Sequence, residues 1–191
     1  MKVYFAFLPA YAFVLLHISP STRSDRGTHP ILPANNSVTL YLVGYSNTSY
    51  NPLIKCVKSE YTFDRTGITF KRYLILHLLN ESTKQWKSTG FTLFVDTADD
   101  PIVFSINITG VAEDWKKHFH VRNSYKVFHY DNETMVLGEG CPGVSYGAPC
   151  SLWVTGQYAD LKKKLPELTN ISFRTNCENA TFAPYGEDCW G

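Results

Sequence analysis

The sequence predicts an all-β fold: an eight-stranded antiparallel up-and-down barrel with a C-terminal helix packed outside. Three observations point there. Short runs rich in β-branched and aromatic residues recur from residue 38 to residue 155, broken by turn residues. The links between them are short, which favours antiparallel neighbours and hence a sandwich or an up-and-down barrel. A stretch of different character, residues 158–177, follows the last run, and Pro166 is placed to open a helix as its first residue. Strands followed by one late helix suit a barrel with a helix on its wall.

The elements follow in order. Lys2 precedes an apolar run over residues 5–16, interrupted by Pro9 and followed by Ser19, Ser21 and Ser24. A basic start, a short apolar stretch and small residues make a secretory signal over residues 1–24, since a bilayer span needs about twenty apolar residues. The expectation is a secreted, extracellular protein with one domain over residues 25–191 and no membrane span. Seven Asn-x-Ser/Thr sequons, at Asn35, Asn47, Asn80, Asn107, Asn132, Asn170 and Asn179, agree with that compartment as glycosylation sites. The five cysteines (Cys56, Cys141, Cys150, Cys177 and Cys189) would mostly pair there, with one left over.

The predicted strands are residues 38–44, 54–63, 68–79, 90–96, 102–109, 119–130, 134–138 and 151–155. Breakers between them include Asn51-Pro52, Gly67, Pro101, Asp131-Asn132 and Gly138 to Gly143. Sequons and charges then orient the strands, because alternate residues face opposite sides. A glycan on Asn107 turns Phe104, Ile106 and Ile108 inward, with Ile102. Arg122 and Lys126 outside place Val121, Asn123, Tyr125, Val127 and His129 inside. Thr92 and Asp96 outside leave Phe91, Leu93 and Val95 inside. Lys58 and Glu60 outside leave Val57, Tyr61 and Phe63 inside. The run over residues 68–79 is apolar on both faces and cannot be oriented. The inward set carries aliphatic and aromatic side chains and no carboxylate, so a ligand inside such a barrel would be mostly apolar.

Composition excludes other classes. Eighteen Lys and Arg against 17 Asp and Glu leave a net charge of +1, which gives no electrostatic case for nucleic acid. Twelve Tyr, 12 Phe and 4 Trp are too many for a disordered chain. His118 and His120 share a strand face without a third ligand in nearby sequence, so a solvated strand end is the simpler reading than a metal site. Asp96, Asp99 and Asp100 read as turn chemistry before Pro101. Lys162, Lys163 and Lys164 read as a solvated face. Cys141, in a Gly-rich loop, is either free, intermolecular or an alternative partner for Cys150. No nucleophile motif occurs, and the expectation is no enzyme, no metal and no cofactor.

The C-terminal third is more specific. Cys150-Ser-Leu-Trp-Val154, then Pro166, Phe173, Cys177 and Tyr185 to Cys189, with Leu40-Tyr-Leu-Val-Gly44 and Ile54-Lys-Cys-Val57 upstream, resemble the histamine-binding-like lipocalins of tick saliva. Within them, Tyr158, Pro166, the Asn170 sequon and Phe173 are similar to the Japanin-like branch. The resemblance implies a lipocalin barrel, with Cys56 paired to Cys189 and Cys150 to Cys177, leaving Cys141 over. It also implies that a third bridge of amine-binding relatives is absent, the matching positions here being Met135 and Thr169. With Cys150 reaching an outer helix, Leu152 and Val154 face out and Trp153 faces in.

Three functions follow from different classes. The first is a secreted carrier of a small apolar ligand, a sterol such as cholesterol by resemblance, that modulates host immune cells. Phe91, Leu93, Val95, Phe104, Ile106, Ile108, Tyr125, Val127 and Trp153 would line its site. The second is a scavenger of histamine or serotonin; a buried ammonium needs a carboxylate or aromatic cage, and the inward set holds aromatics (Phe91, Phe104, Tyr125) but no Asp or Glu, which counts against it. The third is a closed barrel whose outer surface binds a host immune-cell protein.

Overall fold

The computed structural model describes residues 32–47, 51–64, 69–99, 104–113, 116, 121–139 and 149–189. The expected signal segment over residues 1–24, Cys141, His118 and His120 lie outside these residues. A short 3-10 turn, Pro33–Asn35, leads into β1 (Leu40–Ser46), and seven further strands follow in sequence order. They are β2 (Ile54–Asp64), β3 (Thr69–Asn80), β4 (Gln85–Asp99), β5 (Phe104–Thr109), β6 (Ser124–Tyr130), β7 (Thr134–Glu139) and β8 (Cys150–Val154). Each strand pairs antiparallel with the next, and β8 returns to β1, which also pairs with β2 through Leu40 and Tyr41. The eight strands therefore close into an up-and-down barrel, which removes exposed sheet edges.

Two additions sit outside the closed barrel. Helix α1 (Glu167–Asn176) has Pro166 as its N-cap, so it starts one residue after the position predicted to open it. Fixed φ and a missing N–H suit proline to that boundary as well as to the first helical turn. A three-residue strand β9 (Ala180–Phe182), absent from the sequence reading, pairs with the far half of β1. At that end β1 lies between β8 and β9, while at the other end it meets β2.

Alternation divides the apolar side chains into two layers. Leu40, Leu93, Val95, Ile106, Met135 and Leu137 fill the barrel, joined by Phe91, Ile108, Tyr125, Val127 and Trp153. On the outer side Val43, Val136, Leu152 and Val154 pack under α1 and the C-terminal segment through Phe173, Tyr158 and Tyr185. The Phe173 ring lies so close to β1 that a Cβ on Gly44 would come within 2.7 Å of it. Disulfides Cys56–Cys189 and Cys150–Cys177 tie the C-terminal segment and the end of α1 to β2 and β8.

Three placements differ from expectation. Asn123, expected inside, is exposed, because it lies one residue before β6 begins. A bulge between Val127 and His129 gives β6 an extra residue, so His129 pairs with Val136 on the outer layer instead of pointing inside. Met135, expected opposite Thr169, points into the barrel. Its neighbour Thr134 faces the helix, and the Thr134 and Thr169 hydroxyls bond at 2.6 Å, fully buried. A pair of small polar side chains thus occupies the position proposed for a lost bridge.

The strand that could not be oriented holds the least expected feature. Arg72 of β3 points inward and is 1% exposed. All five of its N–H groups are engaged: Nε donates to Ser59 Oγ at 2.8 Å, one terminal nitrogen donates to the Ala34 and Asn36 carbonyls at 3.1 and 3.0 Å, and the other to the Val38 and Ser59 carbonyls at 2.6 and 2.8 Å. Burial lowers its pKa to about 10, so it stays charged at neutral pH. Arg72 therefore pins the segment before β1 across one end of the barrel, the floor.

The sequon asparagines are unequal in this frame. Asn47, Asn80, Asn132 and Asn179 are exposed, whereas Asn35, Asn107 and Asn170 are half-buried. The Asn35 Oδ1 is buried without a partner among the described residues. Helix α1 runs through Asn176, so Asn170 and Cys177 do lie on neighbouring parts of one helical face.

Candidate ligand-binding site

Opposite the Arg72 floor the barrel encloses a cavity of about 550 Å³. Its apolar wall is built strand by strand. Leu42 comes from β1, Leu74 and Leu76 from β3, Leu93 from β4, Ile108 from β5, Tyr125 from β6, Leu137 from β7 and Trp153 from β8. Cross-strand register holds them on one face, since Leu42 is opposite Trp153, Ile106 is opposite Tyr125 and Arg72 is opposite Leu93.

Four of the nine predicted ligand residues, Leu93, Ile108, Tyr125 and Trp153, line this cavity. Phe91, Val95, Ile106 and Val127 belong to the same interior layer without lining the cavity. The Phe104 side chain lies outside the described ones. Sequence reasoning missed Leu42, Leu74, Leu76 and Leu137. Alternation within residues 40–44 and 134–138 could have found Leu42 and Leu137, whereas Leu74 and Leu76 sit on the strand with two apolar faces.

The mouth was not foreseen. Where β1 leaves β2, residues 183–189 fill the gap and form one wall, fastened by Cys56–Cys189. Lys55 sits 4.7 Å above the Trp86 ring and is bonded to Asp188, whose carboxyl that bond holds below its usual range. Asp188 is the single carboxylate among the described lining residues, and it is already paired. Nearby, burial pushes the Tyr185 phenol up to about 12, with smaller contributions from Tyr41 and Glu60.

The described residues offer little to a metal. Cys56, Asp188 and Cys189 cluster, but the two sulfurs are bonded to each other. Lys162, Lys163 and Lys164 are exposed, with Lys162 paired to Asp160 at 3.4 Å and Lys163 4.7 Å above the Tyr158 ring. Asp96 pairs with Asn107 along β4 and β5, and Asp99 is the last residue of β4 rather than part of a turn. A mostly apolar wall with a polar rim at its open end suits an apolar small molecule better than a charged one.

No family model matches the chain. It is 28% identical to Japanin of Rhipicephalus appendiculatus over 173 residues, which is 91% of this chain and 92% of the relative. It is 29% identical over 174 residues to Japanin-like-RS of Rhipicephalus sanguineus, with the same shares covered. Among solved structures, Japanin bound to cholesterol superposes with a TM-score of 0.70 at 28% identity, over 84% of this chain and all of that one. The chain is thus a homologue of Japanin and the Japanin-like proteins, built on their lipocalin-type barrel.

Proposed function

We propose that the protein is a secreted salivary carrier that encloses one small apolar ligand of the sterol class, such as cholesterol, and modulates host immune cells. The observation that carries this reading is the mostly apolar cavity of about 550 Å³, open at one end, in a barrel homologous to one that holds cholesterol. Its size falls in the range of roughly 300–1,000 Å³ typical for small-molecule sites. Burying apolar ligand surface there gains about 2.5 kcal/mol per 100 Å² removed from water. The expected secretory signal over residues 1–24, the sequons and the two disulfides support delivery outside the cell, with a host immune-cell protein as the outer partner.

The amine-scavenging alternative is weaker, because a buried ammonium needs a counter-charge and Asp188 is already held by Lys55. Titration with a fluorescent sterol, with histamine and serotonin as competitors, tests the reading. Saturation at one sterol per chain, unaffected by either amine, is expected. Tight amine binding without sterol binding would overturn it.

A further inference from the structure

The polar side chains on the cavity wall differ in what they have left to offer. The Tyr125 hydroxyl accepts the Arg122 backbone N–H at 2.9 Å, and Asn51 Oδ1 accepts the Leu53 N–H at 2.9 Å. Lys55 and Asp188 hold each other at the rim. Arg72, at the floor, has every N–H engaged by protein. Asn51 and Trp86 also keep N–H groups without a described acceptor, but Asn51 lies in the loop before β2 and Trp86 is 40% exposed, whereas Ser151 lies within β8. Its Oγ accepts the Trp153 Nε1–H at 2.9 Å, while no described residue accepts its own O–H.

Its position is fixed by the sheet. Ser151 of β8 lies opposite Leu137 of β7 and Tyr45 of β1, and all three line the cavity. Trp153 is two residues on, so it shares that face. Donation by the indole N–H leaves the hydroxyl hydrogen directed away from Trp153 and makes it a better donor, because hydrogen bonds in series polarise one another. A pure hydrocarbon placed here would leave that donor unpaired against apolar surface.

We infer that Ser151 is the polar anchor of the cavity, donating its hydroxyl hydrogen to a single oxygen on an otherwise apolar ligand, with Trp153 setting the direction. The ligand class is therefore an alcohol or ketone of a rigid hydrocarbon, and this rests on the apolar-carrier reading above. Ser151 is a specificity-determining residue: it separates oxygenated from bare hydrocarbons and adds little to the apolar affinity itself.

The test compares cholesterol with cholest-5-ene, the same skeleton without the hydroxyl, each delivered from methyl-β-cyclodextrin to the full chain and to Ser151→Ala. The wild type should prefer cholesterol about three- to tenfold, the span of one hydrogen bond. Ser151→Ala should bind both equally, the preference for cholesterol being lost. If that variant fails to fold by circular dichroism, Ser151→Cys takes its place, the weak thiol donor giving a reduced preference. No preference in the wild type, or the same preference in the variant, overturns the role of Ser151 while leaving the carrier reading intact. Failure of the wild type to bind either molecule overturns the carrier reading itself.

Discussion

Replacing Arg72 by methionine should cost the fold about 3–5 kcal/mol. Methionine keeps the apolar stem but donates nothing, so five acceptors lose their partner. The bonds to Ser59 Oγ and to the Ala34 and Ser59 carbonyls are buried, and each stranded acceptor costs roughly 1–3 kcal/mol. The Asn36 and Val38 carbonyls are only partly buried and water can replace their donor. Three buried losses set a floor near 3 kcal/mol; hydrogen bonds to a charged donor contribute about 1.5–3 kcal/mol each, and relief of the guanidinium's own desolvation holds the total near 5 kcal/mol. For a chain of this size, that is a fall in Tm of roughly 10 °C. Urea unfolding with the disulfides intact, followed by tryptophan fluorescence, measures it. The folded pKa of about 10 lies below the ordinary 12.5, so any effect of Arg72 ionisation on stability changes only above pH 10. The difference between wild type and variant should then be flat between about pH 5 and pH 8. A loss below about 1 kcal/mol would refute the role of Arg72 in closing the floor.

Other outcomes follow from the same geometry. Ile108→Trp fills the cavity and should reduce sterol affinity at least about tenfold while leaving the far-ultraviolet circular dichroism unchanged. Thr134→Val removes one of two hydroxyls bonded at 2.6 Å and should cost about 1–2 kcal/mol in denaturant titration. Cys56 and Cys189 are 133 residues apart, Cys150 and Cys177 only 27. Loop entropy then makes the double alanine variant of the first pair about 1.4 kcal/mol more destabilised than that of the second, as compared by urea unfolding. Opening the first pair also unfastens a wall of the cavity, so sterol should dissociate faster from that variant in stopped-flow displacement.

Much of this architecture was legible in the residues because alternation and turn chemistry act locally. Val95, Ile106 and Tyr125 were placed inside by a sugar site or a charge on the opposite face, and the barrel puts them there. Local rules fail where parity changes. The bulge at Val127 and His129 shifts every later residue of β6 by one, and no residue type there announces it. The same one-residue offset separates Met135 from Thr134. Arg72 was hidden because the run around it is apolar on both faces, and three of its five acceptors belong to a segment 34 to 38 residues away. The mouth depends on residues 183–189 meeting β2 through Cys56–Cys189, a contact that no local pattern encodes.

The most direct measurement of the central claim is what the protein carries when it is made. Expression in a secretory host, extraction of the purified chain with organic solvent and mass spectrometry of the extract should yield close to one sterol per barrel. An empty extract, from a folded barrel that also fails to take up sterol when it is offered, would contradict the account.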